Sequence, residues 1–364
     1  MNKRKRIREW GRIGTGLFAM LLMTTAGYAS EKPQAGRWTE ERVNQWYAGH
    51  DWLVGCNFIP STAINQLEMW QAETFDVETI DRELKWASEL GMNTVRVYLH
   101  DLVWKADASG LKERIHTLLD IAAKYRIKPM LVLFDDVWRD NPQLGKQPDP
   151  VPGIHNSGWF KGPGTAVVND TNQWGRLEGY VKDVLTEFGA DDRVLLWDLF
   201  NEPNTNSAPL VAAAFVWARE VNPSQPLTVG VWNRNPTYDE INAFQMDQSD
   251  VITFHLYGPA PSIKEWIGYF KKTGRPVICT EWLNRNNPET VFRQLPIFKR
   301  ENVGCINWGL VSGKTQTMFP WGSPPNAPEP AAWFHDLLHK DGTPFDPREK
   351  ALFQALTDRR EKQP

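Results

Sequence analysis

The chain has 364 residues, which is enough for one large or two ordinary domains. Hydrophobic residues make up 41% and charged residues 23%, so the composition is that of a globular protein and excludes an intrinsically disordered one. The formal net charge of −3 excludes a strongly basic nucleic-acid-binding surface. Aromatic residues reach 12%, with 18 tryptophans, and this surplus suggests flat surfaces on which sugar rings stack.

The N-terminus has the pattern of a secretory signal. Six Lys and Arg residues precede the apolar run GLFAMLLMTTAGYA, and Gly27 and Ala29 place small residues at the −3 and −1 positions of a cleavage site. We therefore predict a signal peptide over residues 1–29, one mature domain over 30–364, and export to the periplasm or the medium. A retained membrane anchor is the alternative, although the apolar run is shorter than the ~20 residues that a spanning helix needs.

The charge of the mature chain bears on its partners. Removing six basic and one acidic residue from totals of 41 and 44 leaves 35 and 43, a formal charge of −8. Nucleic acid and anionic membranes are then poor partners, a neutral substrate is favoured, and we expect a monomer. Cys56, Cys279 and Cys305 each lie in an apolar run without C-x-x-C spacing, which predicts buried free thiols.

Eight short apolar or β-branched runs follow the signal, each bounded by turn residues. Such continuous apolar runs are typical of strands that are buried on both faces of a parallel sheet. The eight candidate strands are LVGCNFI (53–59), NTVRVYL (93–99), PMLVLFD (129–135), VLLWDLF (194–200), LTVGVW (227–232), VITFHLY (251–257), PVICTEW (276–282) and VGCINWG (303–309).

Amphipathic segments lie between these runs. Asp76 can cap a helix whose Ile80, Leu84 and Ala87 share one face. Eight strands alternating with helices predict an α/β fold, a single (β/α)8 TIM barrel. The doubly wound open sheet is the rival, but the Gly-rich phosphate loop that often follows its first strand is absent here. The further helices are predicted around 111–122, 177–188, 208–220, 261–273, 288–300 and 347–357.

Two loops are too long to be simple connections. Residues 137–169 carry five prolines together with Trp138, Trp159 and Phe160, and residues 309–330 read GLVSGKTQTMFPWGSPPNAPEP. Both loops leave the C-terminal end of a candidate strand, where barrel enzymes build their sites. The two loops could wall off one end of a cleft or could extend it as a groove, and the sequence leaves both possibilities open.

Two carboxylates stand at the ends of candidate strands. The fourth strand ends in Asn201-Glu202-Pro203 and the seventh in Thr280-Glu281-Trp282. In a barrel these two strands lie roughly opposite each other, so Glu202 and Glu281 can converge over the axis. A pair of carboxylates, one protonated and one ionised, is what glycoside hydrolysis requires.

These motifs resemble those of clan A glycoside hydrolases, with most similarity to the cellulase- and mannanase-like family 5. The resemblance rests on NEP on strand four, HLY on strand six, TEW on strand seven and NWG on strand eight, and in strand order it covers essentially the whole mature chain. It implies a retaining hydrolase of β-linked poly- or oligosaccharides, with Glu202 as the acid/base and Glu281 as the nucleophile. No metal and no organic cofactor is implied.

The resemblance also assigns roles to neighbouring residues. Asn201 would hydrogen-bond the sugar 2-hydroxyl, and Arg96 would lie near the nucleophile, where its charge keeps Glu281 ionised. His255 would line the site, Tyr257 would hydrogen-bond Glu281, and Trp308 would be the stacking platform for the sugar at the cleavage point.

Strand three departs from the family pattern. Many members have a histidine there that reaches sugar hydroxyls, whereas this chain has Asp135 and Asp136 in LFDDVW. We expect these two carboxylates to bind hydroxyls in its place. Asn57, Trp104 and Trp282 are further candidates for hydroxyl and stacking contacts.

Three alternatives to hydrolysis on this machinery remain at the level of sequence. A sugar acceptor in place of water would make the protein a transglycosylase. A non-catalytic carbohydrate-binding barrel would keep the cleft without needing two matched carboxylates. A metal-dependent barrel hydrolase would place His/Asp clusters at strand ends, but of the seven histidines only His100 and His255 lie near such ends.

Overall fold

The computed structural model describes residues 36–357, and the predicted signal peptide over 1–29 therefore lies outside the described residues. Eight strands form one parallel sheet in the order β5-β4-β3-β2-β1-β8-β7-β6, which confirms the predicted (β/α)8 barrel. Their bounds are β1 Val54–Asn57, β2 Thr94–Tyr98, β3 Lys128–Asp135, β4 Leu196–Asn201, β5 Leu227–Thr228, β6 Ile252–His255, β7 Val277–Glu281 and β8 Gly304–Trp308.

The barrel closes between β5 and β6 through a single bridge. The Val231 amide donates to the Thr253 backbone carbonyl at 2.9 Å, and the His255 amide donates to the Val231 carbonyl at 3.0 Å. The sequence predicted a strand through residue 232, but regular pairing ends at Thr228. A β-carbon at Gly230 would lie 3.1 Å from the Thr253 hydroxyl, so the strands approach closely there and a larger residue would require the Thr253 side chain to shift.

Helices surround the sheet, and all seven predicted helices are present, with shifted ends. Asp76 accepts from the Thr79 amide at 3.0 Å and caps its helix as expected. The described helices are α1 Glu40–Ala48, α2 Gln66–Trp70, α3 Val77–Glu89, α4 Asp101–Ala106, α5 Ala108–Lys124, α6 Thr165–Val168, α7 Trp174–Phe188, α8 Ala208–Val221, α9 Asp239–Gln248, α10 Ala260–Phe270, α11 Thr290–Arg300 and α12 Pro347–Thr357. Among residues 36–357, none of the helices is long and apolar enough to cross a membrane.

The N-terminal end of the barrel is sealed by apolar packing. Trp38 and the α1 residues Val43 and Tyr47 are buried in one cluster with strand residues such as Met130 and Ile306. The three cysteines are free and buried, as predicted. Apolar side chains therefore fill this end of the barrel among the described residues.

Candidate active site

Glu202 and Glu281 both lie at the C-terminal rim. Glu281 is the last residue of β7, and Glu202 directly follows β4 with a backbone φ of 44°, in the left-handed region that non-glycine residues seldom adopt. The β6–β7 pairing shifts register between Phe254 and His255, so that His255 faces Glu281. These local irregularities turn the three side chains toward one another.

Glu281 accepts hydrogen bonds from three donors. Arg96 Nη1 donates to Oε1 at 2.9 Å, the Tyr98 hydroxyl donates to the same oxygen at 3.0 Å, and the Tyr257 hydroxyl donates to Oε2 at 2.7 Å. These donors fix the orientation of the Glu281 carboxyl group at the rim. An ionised, aligned carboxylate is what a nucleophile at an anomeric carbon requires.

Arg96 is completely buried beneath the rim and is surrounded by acceptors. It also donates to Asp198 Oδ2 at 2.8 Å, to Asn201 Oδ1 at 2.7 Å and to Asn57 Oδ1 at 2.9 Å. Burial acts to lower the pKa of this guanidinium, but the surrounding tyrosine and carboxylate groups outweigh it and raise the pKa. The cation is therefore permanent, and its fork fixes Asn201 and Glu281 relative to each other.

Glu202 has the opposite environment. Its side chain is 15% exposed, and burial raises its pKa to about 7, while the charge of Arg96 opposes that rise. His255 Nδ1 lies 2.7 Å from Glu202 Oε1. Burial lowers the pKa of His255 to about 4, so the imidazole is neutral at neutral pH. A neutral ring that donates to Oε1 leaves Oε2 free to carry a proton to a substrate.

The two carboxylates are close enough to act on one bond. One oxygen of Glu202, one of Glu281 and a ring nitrogen of His255 all lie within 4.8 Å of one another. Three such groups can in principle hold a metal ion, but Arg96 already brings positive charge to 2.9 Å from Glu281 Oε1 and would repel a second cation. The set is better suited to exchanging a proton.

A cavity of about 310 Å³ lies over this pair. Its lining is dominated by aromatic side chains with a few polar groups, the arrangement expected of a site for an amphipathic ring. The aromatic lining residues are Trp138, His155, Trp159, Trp232, His255, Tyr257, Trp308, Trp321 and His335.

Residues 60–313 match the family model described as Cellulase (glycosyl hydrolase family 5). The chain belongs to glycosyl hydrolase family 5. It is therefore a glycoside hydrolase, in agreement with the resemblance read from the sequence. No curated protein matches the chain significantly.

Solved structures share the fold of this family 5 enzyme at low identity. An exo-beta-1,4-mannosidase from Opitutaceae bacterium strain TAV5 is 16% identical with a TM-score of 0.59; the match covers 84% of this chain but only 60% of that one. GH5_18 from Streptomyces cattleya, solved with GlcNAc, is 14% identical with a TM-score of 0.55, covering 86% and 82% of the two chains. A family 5 mannosidase from Rhizomucor miehei is 13% identical with a TM-score of 0.54, covering 84% and 92%.

The structure brings most of the predicted site of this family 5 enzyme together. Glu202, Glu281 and the four neighbours Asn201, His255, Tyr257 and Trp308 line the cavity, and Arg96 lies beneath it. The predicted contact between Tyr257 and Glu281 is present at 2.7 Å. The roles assigned to these residues in binding and catalysis remain predictions.

Asp135 and Asp136 do not line the cavity, contrary to the expectation that they bind sugar hydroxyls. Asp135 accepts from Asn201 Nδ2 at 2.8 Å and from Trp159 Nε1 at 2.7 Å, and burial raises its pKa to about 7. Asp136 accepts from Ser207 Oγ at 2.6 Å and from the Asn204 amide at 3.0 Å. Both carboxylates therefore accept hydrogen bonds from neighbouring segments at the rim, Asp135 from Asn201 and Trp159 and Asp136 from residues 204–207.

Three other candidates also lie away from the cavity. The Trp104 indole donates to Asp183 at 2.7 Å within the helical layer, and Trp282 is buried against Phe298. Asn57 donates to the Thr280 carbonyl at 2.8 Å and supports Arg96 from below. The structure therefore gives these three residues packing or supporting contacts.

Three residues at or next to the cavity were not predicted from the sequence as site residues. Tyr98 reaches Glu281, and its ring packs edge-on against Trp159 and Trp308. Trp232 follows β5 and donates to the Pro203 carbonyl at 3.1 Å, next to Glu202. Trp321 extends from the loop after β8 to the Tyr257 ring. The signal for Tyr98 was its position two residues after Arg96, on the same face of β2.

Proposed function

We propose that the protein is a retaining hydrolase of β-linked, neutral oligo- or polysaccharides. The observation that carries this proposal is the asymmetry of the two carboxylates. Glu281 accepts from one cation and two hydroxyls, whereas Glu202 is desolvated, bonded to a neutral imidazole and able to hold a proton near pH 7. Their oxygens lie within 4.8 Å, which suits the ~5–5.5 Å separation of retaining enzymes.

The proposed reaction has two steps. First, Glu281 attacks the anomeric carbon and forms a glycosyl ester while Glu202 transfers its proton to the leaving oxygen. Once the leaving group has gone, ionised Glu202 takes a proton from water, which attacks the same carbon and releases Glu281. Arg96 and Tyr98 donate hydrogen bonds to Glu281 Oε1 in both steps. They therefore stabilise the negative charge that returns to the Glu281 carboxylate when the ester is cleaved.

β-Mannosides are the first substrates to test. Family membership gives the reaction class. Two proteins of similar fold are described as mannosidases, which supports mannose as the glycone. Their identities of 13–16% show a shared fold alone, so other sugars have to be tested as well. A panel of aryl β-mannoside, β-glucoside, β-xyloside and β-galactoside is therefore the appropriate screen.

Covalent labelling tests the catalytic roles directly. A 2-deoxy-2-fluoro glycosyl fluoride of the preferred sugar should add one sugar mass to a peptide that contains Glu281, and Glu281→Ala should abolish labelling and turnover. Azide should rescue Glu202→Ala on an aryl glycoside by attacking the Glu281 ester in place of water, and should form a glycosyl azide of the same anomeric configuration as the substrate. Turnover by a folded Glu281→Ala variant would refute the nucleophile assignment.

We also propose that the protein is exported. The motif over residues 1–29 supports this proposal. After expression of the full chain, N-terminal sequencing of the exported protein should show that it begins at Ser30. Size-exclusion chromatography of the same protein should show a monomer. A cell-associated protein that retains Met1 would contradict export by cleavage.

A further inference from the structure

Two long loops are joined to each other beside the cavity. The loop after β3 spans residues 136–164, and the loop after β8 begins at Gly309. The Asn156 amide donates to the Thr315 carbonyl at 2.8 Å, and the neutral His155 ring bonds the Phe319 carbonyl through Nδ1 at 2.8 Å. Further bonds join Gly153 N to Gln316 Oε1, Gln316 Nε2 to the Val151 carbonyl, and Asn326 N to the Pro152 carbonyl.

The chain after β1 joins the same structure. The Lys314 amide donates to the Ser61 carbonyl at 3.0 Å, and Asn65 Nδ2 donates to the Gly158 carbonyl at 2.8 Å. A β-carbon on Gly313 would lie 2.5 Å from the Ser61 backbone, so these segments are in direct contact. Residues 61–65, 151–159 and 313–319 thus form a continuous wall, named here the closing wall.

The closing wall fills one side of the cavity. Asn156 and Trp159 line the cavity and are buried, and His335 beside them is also buried. Three other tryptophans of the lining are more exposed. Trp138 is 43% exposed and Trp321 is 47% exposed, and both rings pack against His155 at the outer edge of the wall, whereas Trp232 is half-buried next to Pro203. The cavity is therefore a pocket that opens between these three tryptophans.

The two carboxylates are ordered along this pocket. Glu281 is connected to the wall through Tyr98, whose hydroxyl contacts Glu281 and whose ring contacts Trp159, and to the exposed edge of the pocket through Tyr257, whose ring contacts Trp321. Glu202 lies toward the open side, since the residue after it binds the Trp232 indole. The sugar that bonds to Glu281 thus has the wall behind it, and the group that Glu202 protonates leaves toward the mouth.

We propose that the enzyme is exo-acting and removes a single sugar unit from the non-reducing end of its substrate. This inference rests on the proposed function, because it needs Glu281 to hold the glycone and Glu202 to face the leaving group. No chain can extend past the closing wall, so an internal unit of a polysaccharide cannot reach Glu281. The open side accepts a longer leaving group, with Trp232 as an apolar surface beside it.

End-labelled oligosaccharides test the inference. Mannotetraose, cellotetraose and xylotetraose, each tagged at the reducing end with 2-aminobenzamide, are digested with the full mature chain, and early products are separated by chromatography. Each tetrasaccharide is also prepared with a 4-O-methyl group on its non-reducing unit. Glu281→Gln is the matched inactive control for contaminating hydrolases.

The expected result is a free monosaccharide and a tagged trisaccharide as the first products, with the methylated substrate cleaved at least 100-fold more slowly. Tagged mono- or disaccharide as a first product, or equal cleavage of the methylated substrate, would overturn exo action while leaving the proposed hydrolysis intact. Release of a disaccharide alone would overturn a pocket one unit deep. Absence of both hydrolysis and Glu281 labelling would instead refute the proposed function.

Discussion

Glu202→Gln should stabilise the protein, and should do so only above the pH at which a free glutamate ionises. In the folded protein, burial holds the pKa of Glu202 at about 7 instead of 4.5. Between these two values the unfolded chain has lost a proton that the folded protein retains, so the free energy of unfolding falls as the pH rises. Glutamine has no proton to lose, and its side-chain oxygen can still accept from His255 Nδ1.

The magnitude follows from the pKa difference. Each unit corresponds to ~1.4 kcal/mol, so the variant should gain about 3 kcal/mol over wild type above pH 7. Below pH 4.5 both side chains are neutral and the gain should vanish. For a chain of this size, about 3 kcal/mol corresponds to an increase in Tm of about 5 °C.

Thermal unfolding of both proteins at pH 4, 6 and 8, at one scan rate, measures this difference. Glu281→Gln is the matched control: it removes a charge that Arg96 and Tyr98 stabilise, and it should lower the Tm at pH 8. Equal stabilisation by Glu202→Gln at pH 4 and pH 8, or destabilisation at pH 8, would refute the assignment of Glu202 as the strained, desolvated carboxyl group.

Three further outcomes are expected. Tyr98→Phe removes one donor to Glu281, so kcat/KM should fall by about 10-fold; an unchanged kcat/KM would contradict a role for this contact in turnover. The wild-type profile should also lose activity as the pH rises through about 7, because Glu202 must be protonated for the first step, and azide-rescued Glu202→Ala should lack that limb. Trp232→Ala should raise KM for oligosaccharides several-fold and leave KM for an aryl monoglycoside nearly unchanged. A similar change in KM for both substrates would show that Trp232 does not contact the sugar units of the leaving group.

The barrel could be predicted because buried parallel strands have a simple sequence signature. All eight apolar runs contain strands, but β5 is shorter than predicted, since beyond Thr228 its chain meets β6 only through an isolated bridge at Val231, and such pairing between distant segments is a tertiary property. Helix α9, Asp239–Gln248, was missed because its apolar residues do not gather on one clear face.

The site residues could be predicted where sequence motifs mark the ends of strands. They were harder to predict where contacts from the loops determine which side chains reach the cavity. Glu202 and Glu281 follow from the order of the strands, and Tyr257 follows from the resemblance of its HLY motif to the family pattern. Asp135 also stands at a strand end, yet Trp159 and Asn201 take up its oxygens, and the sequence does not reveal such contacts between distant segments. Trp232 had no motif around it and became visible only once the barrel placed it beside Pro203.

A pocket with a single mouth imposes an order on events during turnover. In the proposed exo-acting pocket there is no rear exit, so the leaving group has to vacate the mouth before hydrolytic water can enter and before the cleaved sugar can depart. The freed sugar is thus the last molecule to leave, and it competes directly with fresh substrate for the surface of Trp308. We therefore expect the released monosaccharide to inhibit competitively, and its rate of escape past Trp138 and Trp321 to limit how fast the enzyme can work at high substrate concentration.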